Sequence, residues 1–281
     1  MLTTIQDLGR AGHGIQGVSR AGAADALALR VGNRLLGNPE GAAALEMTLL
    51  GGTFAFPDGA RIVLTGARPA AMPVYQRMEM APGEECRLGA FVAGARCYLC
   101  VAGGIDAPLT AGSASTHLPS GLGPAPLRKG DTLRFHGGGA GSGRVPEELT
   151  RYETRIRVTR GAQWAQCNEE VFYASEYEVT TDANRMGLRL AGPAAASGQN
   201  GQMVTEGVPL GAIQIPSNGQ PILLFVDQQT TGGYPKIANV ISADLPNVAQ
   251  LRPRDRVRFQ LVSPEEARRA LLGQEELIRQ I

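Results

Sequence analysis

The sequence lacks three features that would point to a membrane or to nucleic acid. No apolar run reaches the ~18 residues that a membrane-spanning helix needs. The formal net charge is +1, without a long basic block, so binding to nucleic acid or to an anionic membrane has no electrostatic support. The N-terminus has no signal-peptide pattern. We therefore expect a cytoplasmic protein that binds neither a membrane nor nucleic acid.

Aromatic residues are also scarce, at 5%, whereas the chain contains 37 glycines and 18 prolines. Many short apolar segments are separated by these glycines and prolines, which is typical of β structure with tight turns. The 281 residues suffice for one large domain or for two of ordinary size. We predict a mostly β chain with a few short helices.

Four cysteines are present, and Cys97 and Cys100 form a Cys-x-x-Cys pair, a pattern found in metal and redox sites. This pair lies in a segment typical of a strand, where residues three apart point to opposite faces. No second cysteine pair and no nearby histidine completes a tetrahedral ligand set. We therefore predict buried or half-buried thiols and no metal site.

A helix is predicted from Asp25 to Leu36, because Leu27, Val31 and Leu35 recur every four residues and form one apolar face. Asp25 stands at the start of this helix, where an N-cap is the ordinary role of an aspartate.

The C-terminal segment carries a second helix signal. Ser263 stands at the N-cap position, Pro264 at the first helical position and Glu266 three residues after the cap. We predict a C-terminal helix from this point to the end of the chain.

Segments of the second half repeat segments of the first half in the same order. Asp25–Val31 resembles Asn184–Leu190, and Arg61–Leu64 resembles Pro221–Leu224. The glycine run Gly137–Gly143 separates the halves and is not a phosphate loop, because no Lys-Ser/Thr follows it. Two closed β-barrels suit this number of short strands. The predicted divisions are a first β domain, a glycine-rich linker, a second β domain and a C-terminal helix, at residues 1–140, 141–150, 151–262 and 263–281.

One polar loop stands out in the second half. It spans Asp227–Lys236 between two apolar segments, Pro221–Val226 and Ile237–Ile241, which are typical of buried strands. Such a loop presents amides, hydroxyls, bare backbone and a lysine from a rigid base, as binding sites often do. A long hairpin loop with a solvated lysine is the alternative.

Six segments together carry a resemblance to a known family: Leu2–Arg10, Ala43–Glu46, Leu64–Ala67, Val101–Asp106, Asn184–Gly187 and Gln229–Lys236. The combination resembles the KipA-like family, also called allophanate hydrolase subunit 2 or biotin-dependent carboxyltransferase-like. The resemblance implies two tandem cyclophilin-like β-barrel domains, in agreement with the duplication. Members usually carry a few more residues, another piece of strand, before Leu2, so the chain departs from the family at its first strand.

The resemblance also implies work in a heteromeric complex. First, the resemblance implies that the chain is a hydrolase component of an ATP-dependent 5-oxoprolinase and that the chain is inactive alone. With a KipI-like B subunit and a LamB/YcsF-like A subunit, it would convert 5-oxo-L-proline to L-glutamate. One alternative is a component of a biotin-dependent carboxyltransferase that passes a carboxyl group to urea. Another is a KipA-like regulator that binds a KipI-like kinase inhibitor.

Both enzymatic alternatives act on an amide nitrogen and its carbonyl, so they need a base near the N–H and a cation or donors at the oxygen. The resemblance places the aspartate that matches Asp25 in the carboxyltransferase site, so we expect Asp25 to act as the acid/base group. We expect Lys236 to stabilise charge on the oxygen, with an exposed lysine as the alternative. The duplication aligns Arg185 beside Asp25. We therefore expect Arg185 either to face the same cleft or to form an inter-domain ion pair. The candidate substrate contacts are Gln228, Thr230, Gly232, Gly233, Tyr234, Arg185, Glu206, Gln214 and His13.

Overall fold

The computed structural model describes residues 2–138, 141–195 and 203–281, which fall into two compact units. The predicted glycine-rich segment includes Gly139 and Ala140, which lie outside the described residues, as does Met1. The predicted domain boundaries stay predictions. The first unit contains Met1–Arg10, Ala21–Tyr152 and Glu275–Ile281, and the second contains Ala11–Arg20 and Glu153–Gln274.

The described residues of the first unit form eight strands, one complete α-helix and the end of the C-terminal helix. Its complete helix is α1 (Ala26–Leu35). Its strands are β1 (Leu2–Gln6), β2 (Ala44–Thr48), β3 (Leu50–Phe56), β4 (Ala60–Pro69), β5 (Arg77–Met80), β6 (Glu84–Val101), β7 (Ile105–Asp106) and β8 (Arg134–Phe135).

The strands of the first unit form an open sheet in the order β1-β2-β6-β4-β5, with β3 also paired to β6. The long strand β6 pairs with β2, β3 and β4 along its length, whereas the end strands β1 and β5 each have one neighbour in this sheet. In the described part of this unit, the hydrogen bonds therefore do not close a ring. The prediction of two closed barrels is not confirmed for this unit.

Both faces of the C-terminal half of β6 are buried. Cys97 and Leu99 belong to one apolar core, whereas Tyr98 and Cys100 belong to a second core that includes the buried face of α1. This arrangement follows from the alternation of side chains along a strand. The prediction that the two thiols point to opposite faces and are buried is confirmed.

Helix α1 confirms the predicted helix, with Leu27, Val31 and Leu35 all buried. The helix approaches the sheet closely at Gly32, where an added Cβ would lie 2.6 Å from the Cys100 sulfur. Only glycine leaves room for this contact. The middle of α1 is thus held close against the sheet.

The second unit contains a closed barrel of seven strands in the order β10-β11-β14-β13-β16-β9-β17. Strands β9 and β17 pair in parallel and the other pairs are antiparallel. This confirms a mostly β chain with one barrel. The strands are β9 (Arg155–Arg160), β10 (Tyr177–Val179), β11 (Gly187–Ala191), β12 (Glu206–Gly207), β13 (Ala212–Gln214), β14 (Ile222–Leu224), β15 (Thr231–Gly232), β16 (Lys236–Val240) and β17 (Arg256–Leu261).

Three further helices occur in the described residues: α2 (Glu169–Ala174), α3 (Leu245–Gln250) and α4 (Pro264–Arg279). The Ser263 backbone N–H donates to Glu266 Oε2 at 2.7 Å, and the Glu266 N–H donates to Ser263 Oγ at 3.1 Å. This reciprocal pair is a capping box, so the predicted C-terminal helix is confirmed. Within the described residues, no helix combines the length and the apolar character needed to cross a membrane.

The polar loop is not a simple hairpin loop. Strands β14 and β16, which flank it, are not neighbours, because β13 lies between them. Inside the loop, β15 pairs with β12, so that Gly232 lies opposite Glu206. The loop is therefore braced by a two-stranded sheet of its own.

Candidate functional site

Asp25 caps α1 in the first unit and is fully buried. Its Oδ1 accepts a hydrogen bond from the Ala28 backbone N–H at 2.9 Å. Its own backbone N–H donates to the Tyr98 hydroxyl at 2.8 Å, and the Tyr152 hydroxyl also bonds to its carboxylate. The aspartate is thus an N-cap, as its position in the sequence predicts, and it also belongs to a polar network.

A second buried carboxylate, Glu46, lies in the same network. Glu46 and Tyr98 face each other on β2 and β6, and the Tyr98 hydroxyl donates to Glu46 Oε2 at 2.6 Å. The same oxygen accepts from the Ala24 backbone N–H at 2.9 Å. One phenol therefore bridges Glu46 and the backbone of Asp25.

The network continues through two half-buried tyrosines. The Tyr75 and Tyr152 hydroxyl oxygens are 2.7 Å apart, and the Gly66 backbone N–H donates to the Tyr75 oxygen at 3.1 Å. Because Tyr152 donates to the Asp25 carboxylate, its oxygen is left to accept the proton of Tyr75. The hydrogen bonds therefore run in one direction, from Gly66 to Asp25.

Burial raises the pKa of the phenols of Tyr75, Tyr98 and Tyr152, and the negative charge of Asp25 raises each pKa further. All three are therefore neutral hydrogen-bond donors at physiological pH. We call Asp25, Glu46 and the three tyrosines the phenol–carboxylate cluster. The sequence did not point to the tyrosines, because their partners lie far away along the chain.

Lys236 is buried, with 5% of its surface exposed, so the alternative of a solvated loop lysine is wrong. Its Nζ donates to Glu206 Oε1. Among the described residues (2–138, 141–195 and 203–281), Nζ has one hydrogen-bond partner, Glu206. An ammonium group carries three N–H donors, so two of them have no partner among the described residues.

Gln163 completes this second cluster and was missed in the sequence. Its Nε2 donates to Glu206 Oε1 at 2.8 Å, and its Oε1 accepts from the Lys236 backbone N–H at 3.0 Å. The hydrogen bonds from Lys236 and Gln163 hold the pKa of Glu206 below its usual value. We call Lys236, Glu206 and Gln163 the lysine cluster.

The turn that carries Gln163 also carries Trp164, which is 41% exposed. The Arg160 guanidinium lies 4.4 Å from the centre of the indole ring and pairs with Glu169. Such a cation over an indole face is an attractive contact. The stacked pair therefore forms the outer side of the turn.

Other predicted loop residues border the lysine cluster. Gly232 lies opposite Glu206 on β15, and an added Cβ there would be 2.9 Å from Gln214 Nε2. Gln214 is buried, and its Nε2 donates to the Tyr234 carbonyl oxygen at 3.4 Å. The structure therefore brings Gln214, Gly232 and Glu206 together, with Gly233 and the partly exposed Tyr234 next along the loop.

Gln228 and Thr230 are braced against Val208. The Gln228 Nε2 donates to the Val208 carbonyl at 2.8 Å, and the Val208 N–H donates to the Thr230 carbonyl at 3.0 Å. The Gln228 Oε1 is buried and has no hydrogen-bond partner among the described residues. A buried acceptor of this kind is costly unless something satisfies it, which fits a contact to a ligand N–H.

Arg185 forms a two-point ion pair with Asp227. The distances are 2.8 Å from Nε to Oδ2 and 2.9 Å from Nη2 to Oδ1, and both side chains are buried. Both partners lie in the second unit, so this ion pair does not test the predicted inter-domain pair, which stays a prediction. The role of Arg185 as a substrate contact stays a prediction.

The His13 ring bonds through Nδ1 to Gln16 Oε1 at 2.9 Å, within its own turn. Its described hydrogen bond does not link it to the lysine cluster. In the part of the chain that the structure describes, no group of three or more His, Cys, Asp or Glu side chains is placed to hold a metal ion.

Residues 16–261 match the family described as carboxyltransferase domain, subdomain A and B. The chain is 36% identical over 294 residues to the C subunit of 5-oxoprolinase from Escherichia coli (strain K12), covering 100% of this chain and 95% of that protein. It is 37% identical over 276 residues to the C subunit of 5-oxoprolinase from Haemophilus influenzae, covering 94% and 89%.

A solved structure is also similar. The K. lactis urea amidolyase matches 99% of this chain with a TM-score of 0.90 and 28% identity, although the chain spans only 19% of that protein. The fold and these similarities define the class of the protein: it is a mostly β chain of the carboxyltransferase type. The protein belongs to the carboxyltransferase domain family, subdomain A and B, which confirms the resemblance seen in the sequence motifs.

Proposed function

We propose that the protein is the C subunit of an ATP-dependent 5-oxoprolinase, which converts 5-oxo-L-proline to L-glutamate. The observation that carries this proposal is the 36% and 37% identity, over nearly the whole chain, to two proteins of that name. The proposal includes a cytoplasmic, heteromeric assembly with a KipI-like B subunit and a LamB/YcsF-like A subunit, and no activity of this chain alone.

Opening the lactam ring removes the resonance stabilisation of the amide. This energetic cost explains the coupling to ATP. Phosphoryl transfer to the amide oxygen requires a group that takes the N–H proton and a donor or cation that stabilises charge on oxygen. We assign the proton transfer to Asp25, whose carboxylate accepts bonds from neutral donors. We assign the oxygen to Lys236, which has two N–H donors beyond its bond to Glu206.

The residues of this chain do not by themselves fit the phosphates of ATP. The sequence has no Gly-x-x-x-x-Gly-Lys-Ser/Thr run. We therefore assign the nucleotide to the complex and not to this chain alone.

The direct test is ATP hydrolysis by the reconstituted mixture of all three proteins, with and without 5-oxo-L-proline. We expect ADP and glutamate to form together only in the full mixture. Lys236→Met is expected to lower turnover about 10²–10³-fold, the usual cost of losing an oxyanion donor. The matched control is Lys129→Met, because Lys129 is the other lysine of the chain and is exposed.

Two outcomes would contradict the proposal at different points. If 5-oxo-L-proline leaves ADP release unchanged in the full mixture, the substrate assignment fails. If the mixture is active and Lys236→Met turns over as fast as Lys129→Met, the assignment of Lys236 fails while the substrate stands.

A second candidate function is favoured by the TM-score of 0.90 to the K. lactis urea amidolyase. As a biotin-dependent carboxyltransferase component, the chain would receive a carboxyl group that biotin supplies from a separate carrier. The two spare donors of Lys236 fit a carboxyl or ureido oxygen. Carboxyl transfer from free carboxybiotin to urea, absent in Lys236→Met, would support this function, and no binding of biotin or carboxybiotin would exclude it.

A further inference from the structure

We propose that Gln163 and Glu206 are positioning residues that fix the Lys236 ammonium, so that its two remaining N–H groups are held for a ligand oxygen. The catalytic consequence rests on the proposed function of Lys236. The positioning itself does not, and it is measurable on the isolated full-length chain.

The first support is the way the Gln163 turn is joined to the backbone of Lys236. The Gly161 N–H donates to the Ile237 carbonyl at 2.9 Å, and the Gln163 N–H donates to the Lys236 carbonyl at 3.0 Å. A Cβ on Gly161 would lie 2.3 Å from the Lys236 carbonyl oxygen. The turn therefore lies against β16 at a distance that a larger residue at Gly161 would prevent.

The second support is that the Gln163 amide is used at both ends. Its oxygen accepts from the Lys236 backbone and its nitrogen donates to Glu206 Oε1. The same Glu206 oxygen also accepts from Lys236 Nζ. Because the amide is rigid and planar, it fixes this carboxylate oxygen relative to the backbone of the lysine it binds.

The third support is that Glu206 needs such a restraint. It lies on the two-residue strand β12, and its side chain is 41% exposed, whereas that of Lys236 is 6% exposed. An exposed carboxylate on a short strand gains entropy by rotating into water. The donor from Gln163 opposes this rotation, and Glu206 in turn keeps the ammonium in one orientation.

The composition of the chain offers a clean measurement. Only two of its 27 basic residues are lysines, Lys129 and Lys236. Lys129 is exposed, so it serves as an internal reference for amine reactivity in the same molecule. The ratio of the two acetylation rates, Lys236 to Lys129, reports how firmly the Lys236 ammonium is held.

The experiment is limited acetylation of the full chain with the N-hydroxysuccinimide ester of acetic acid, followed by peptide mass spectrometry. In Gln163→Met, which keeps the length of the side chain without its amide, we expect the rate ratio to rise about tenfold or more. The matched control is Gln166→Met in the same turn, because Gln166 is exposed. The control is expected to keep the wild-type ratio.

Gln163→Glu separates the two contacts of the amide. Its carboxylate still accepts from the Lys236 backbone, but it cannot donate to Glu206. We expect it to behave like Gln163→Met in the acetylation ratio. In the reconstituted complex, both variants are expected to lower kcat about 10–100-fold, as loss of outer-shell support does, with KM nearly unchanged.

An unchanged acetylation ratio in a folded Gln163→Met chain would overturn the positioning role, and so would a wild-type ratio in Gln163→Glu. If circular dichroism shows that Gln163→Met does not fold, the acetylation ratio of Glu206→Gln provides the test instead. This variant keeps the side-chain volume and is expected to raise the ratio. If the ratios change as expected but the wild-type complex has no oxoprolinase activity, the proposed function fails and the positioning stands.

Discussion

The two units hold buried charge in different ways. In the first unit, Asp25 and Glu46 accept hydrogen bonds from phenols and backbone N–H groups, which are neutral donors. In the second unit, Lys236 and Arg185 are each bonded to a carboxylate. Neutral donors stabilise a carboxylate without cancelling its charge, whereas an ion pair cancels it.

The two ion pairs of the second unit also differ from each other. Arg185 and Asp227 are both buried and share two hydrogen bonds, which suits a structural pair. Among the residues that the structure describes, Lys236 has one bond, to the half-exposed Glu206, and two of its donors have no partner there. The comparison therefore separates carboxylates that accept from phenols and backbone N–H groups, a lysine with one described carboxylate partner, and a two-point arginine–aspartate pair.

The largest expected effect comes from Asp25→Asn. Asparagine caps a helix about as well as aspartate, so we expect the unfolding free energy to fall by less than ~1 kcal/mol. Loss of a general base is expected to lower turnover of the reconstituted complex about 10²–10⁴-fold. The control is the reverse change at the cap of α2, Asn168→Asp. Unchanged turnover in Asp25→Asn would leave Asp25 as a cap alone.

Asp227→Asn tests the structural ion pair. Removing one partner of a buried ion pair is strongly destabilising, so we expect the free energy of urea unfolding to fall by up to about 3–5 kcal/mol. The exposed residue Asp182 provides the control, and Asp182→Asn is expected to change stability by less than ~0.5 kcal/mol. Equal stability of the two variants would contradict a structural role for the pair.

Tyr98→Phe tests the neutral donors of the first unit. The change removes the hydroxyl that accepts from the Asp25 backbone N–H and donates to Glu46. We therefore expect the free energy of unfolding to fall by about 1–3 kcal/mol. Hydrogen exchange should rise in α1 and β2. Tyr173→Phe is the control, because the Tyr173 hydroxyl has no hydrogen bond among the described residues. Unaltered exchange in α1 would argue against the bridge.

The smallest effect, counted per group and per pH unit, is expected at alkaline pH. Burial raises the pKa of the thiol from 9.0 to about 11 in Cys86 and to about 12 in Cys100, and it also raises that of Cys97. Above pH 9 the unfolded chain loses thiol protons that the folded chain keeps. Stability therefore falls with rising pH, by up to about 1.4 kcal/mol per pH unit for each thiol.

The second unit contains one cysteine, Cys167, with a pKa raised to about 12. We therefore expect proteolytic cleavage sites in the first unit to appear at a lower pH than those in the second, under reducing conditions. Cys100→Ala should weaken this pH dependence in the first unit. The opposite order of cleavage would contradict the contribution of the three buried thiols.

The parts of the fold that could be predicted have local causes. The apolar period of α1, the capping box of α4 and the alternation of Cys97 and Cys100 each depend on residues within a few positions of one another. Such signals remain visible in a single sequence. The open sheet of the first unit was not predicted, because β6 is one strand of 18 residues that contains two glycines with positive φ, Gly89 and Gly94.

The candidate site could be predicted in its charged members and in its loop residues, but not in Gln163. Lys236 and Glu206 stand out by residue type, and Gly232 by its loop. Gln163 does not, because it is an ordinary amide that lies 73 positions from the lysine whose backbone it binds. Tyr98 likewise joins its cluster only through pairing with Glu46 across the sheet, which the sequence does not reveal.

The place of the chain's single tryptophan has a practical consequence. Trp164 directly follows Gln163 and holds the Arg160 guanidinium over its ring. All indole fluorescence of the chain therefore originates one residue from the side chain that holds Glu206. The unlabelled protein carries an intrinsic optical probe, whose emission can be used to titrate small molecules into the lysine cluster and to time their arrival in a stopped-flow instrument.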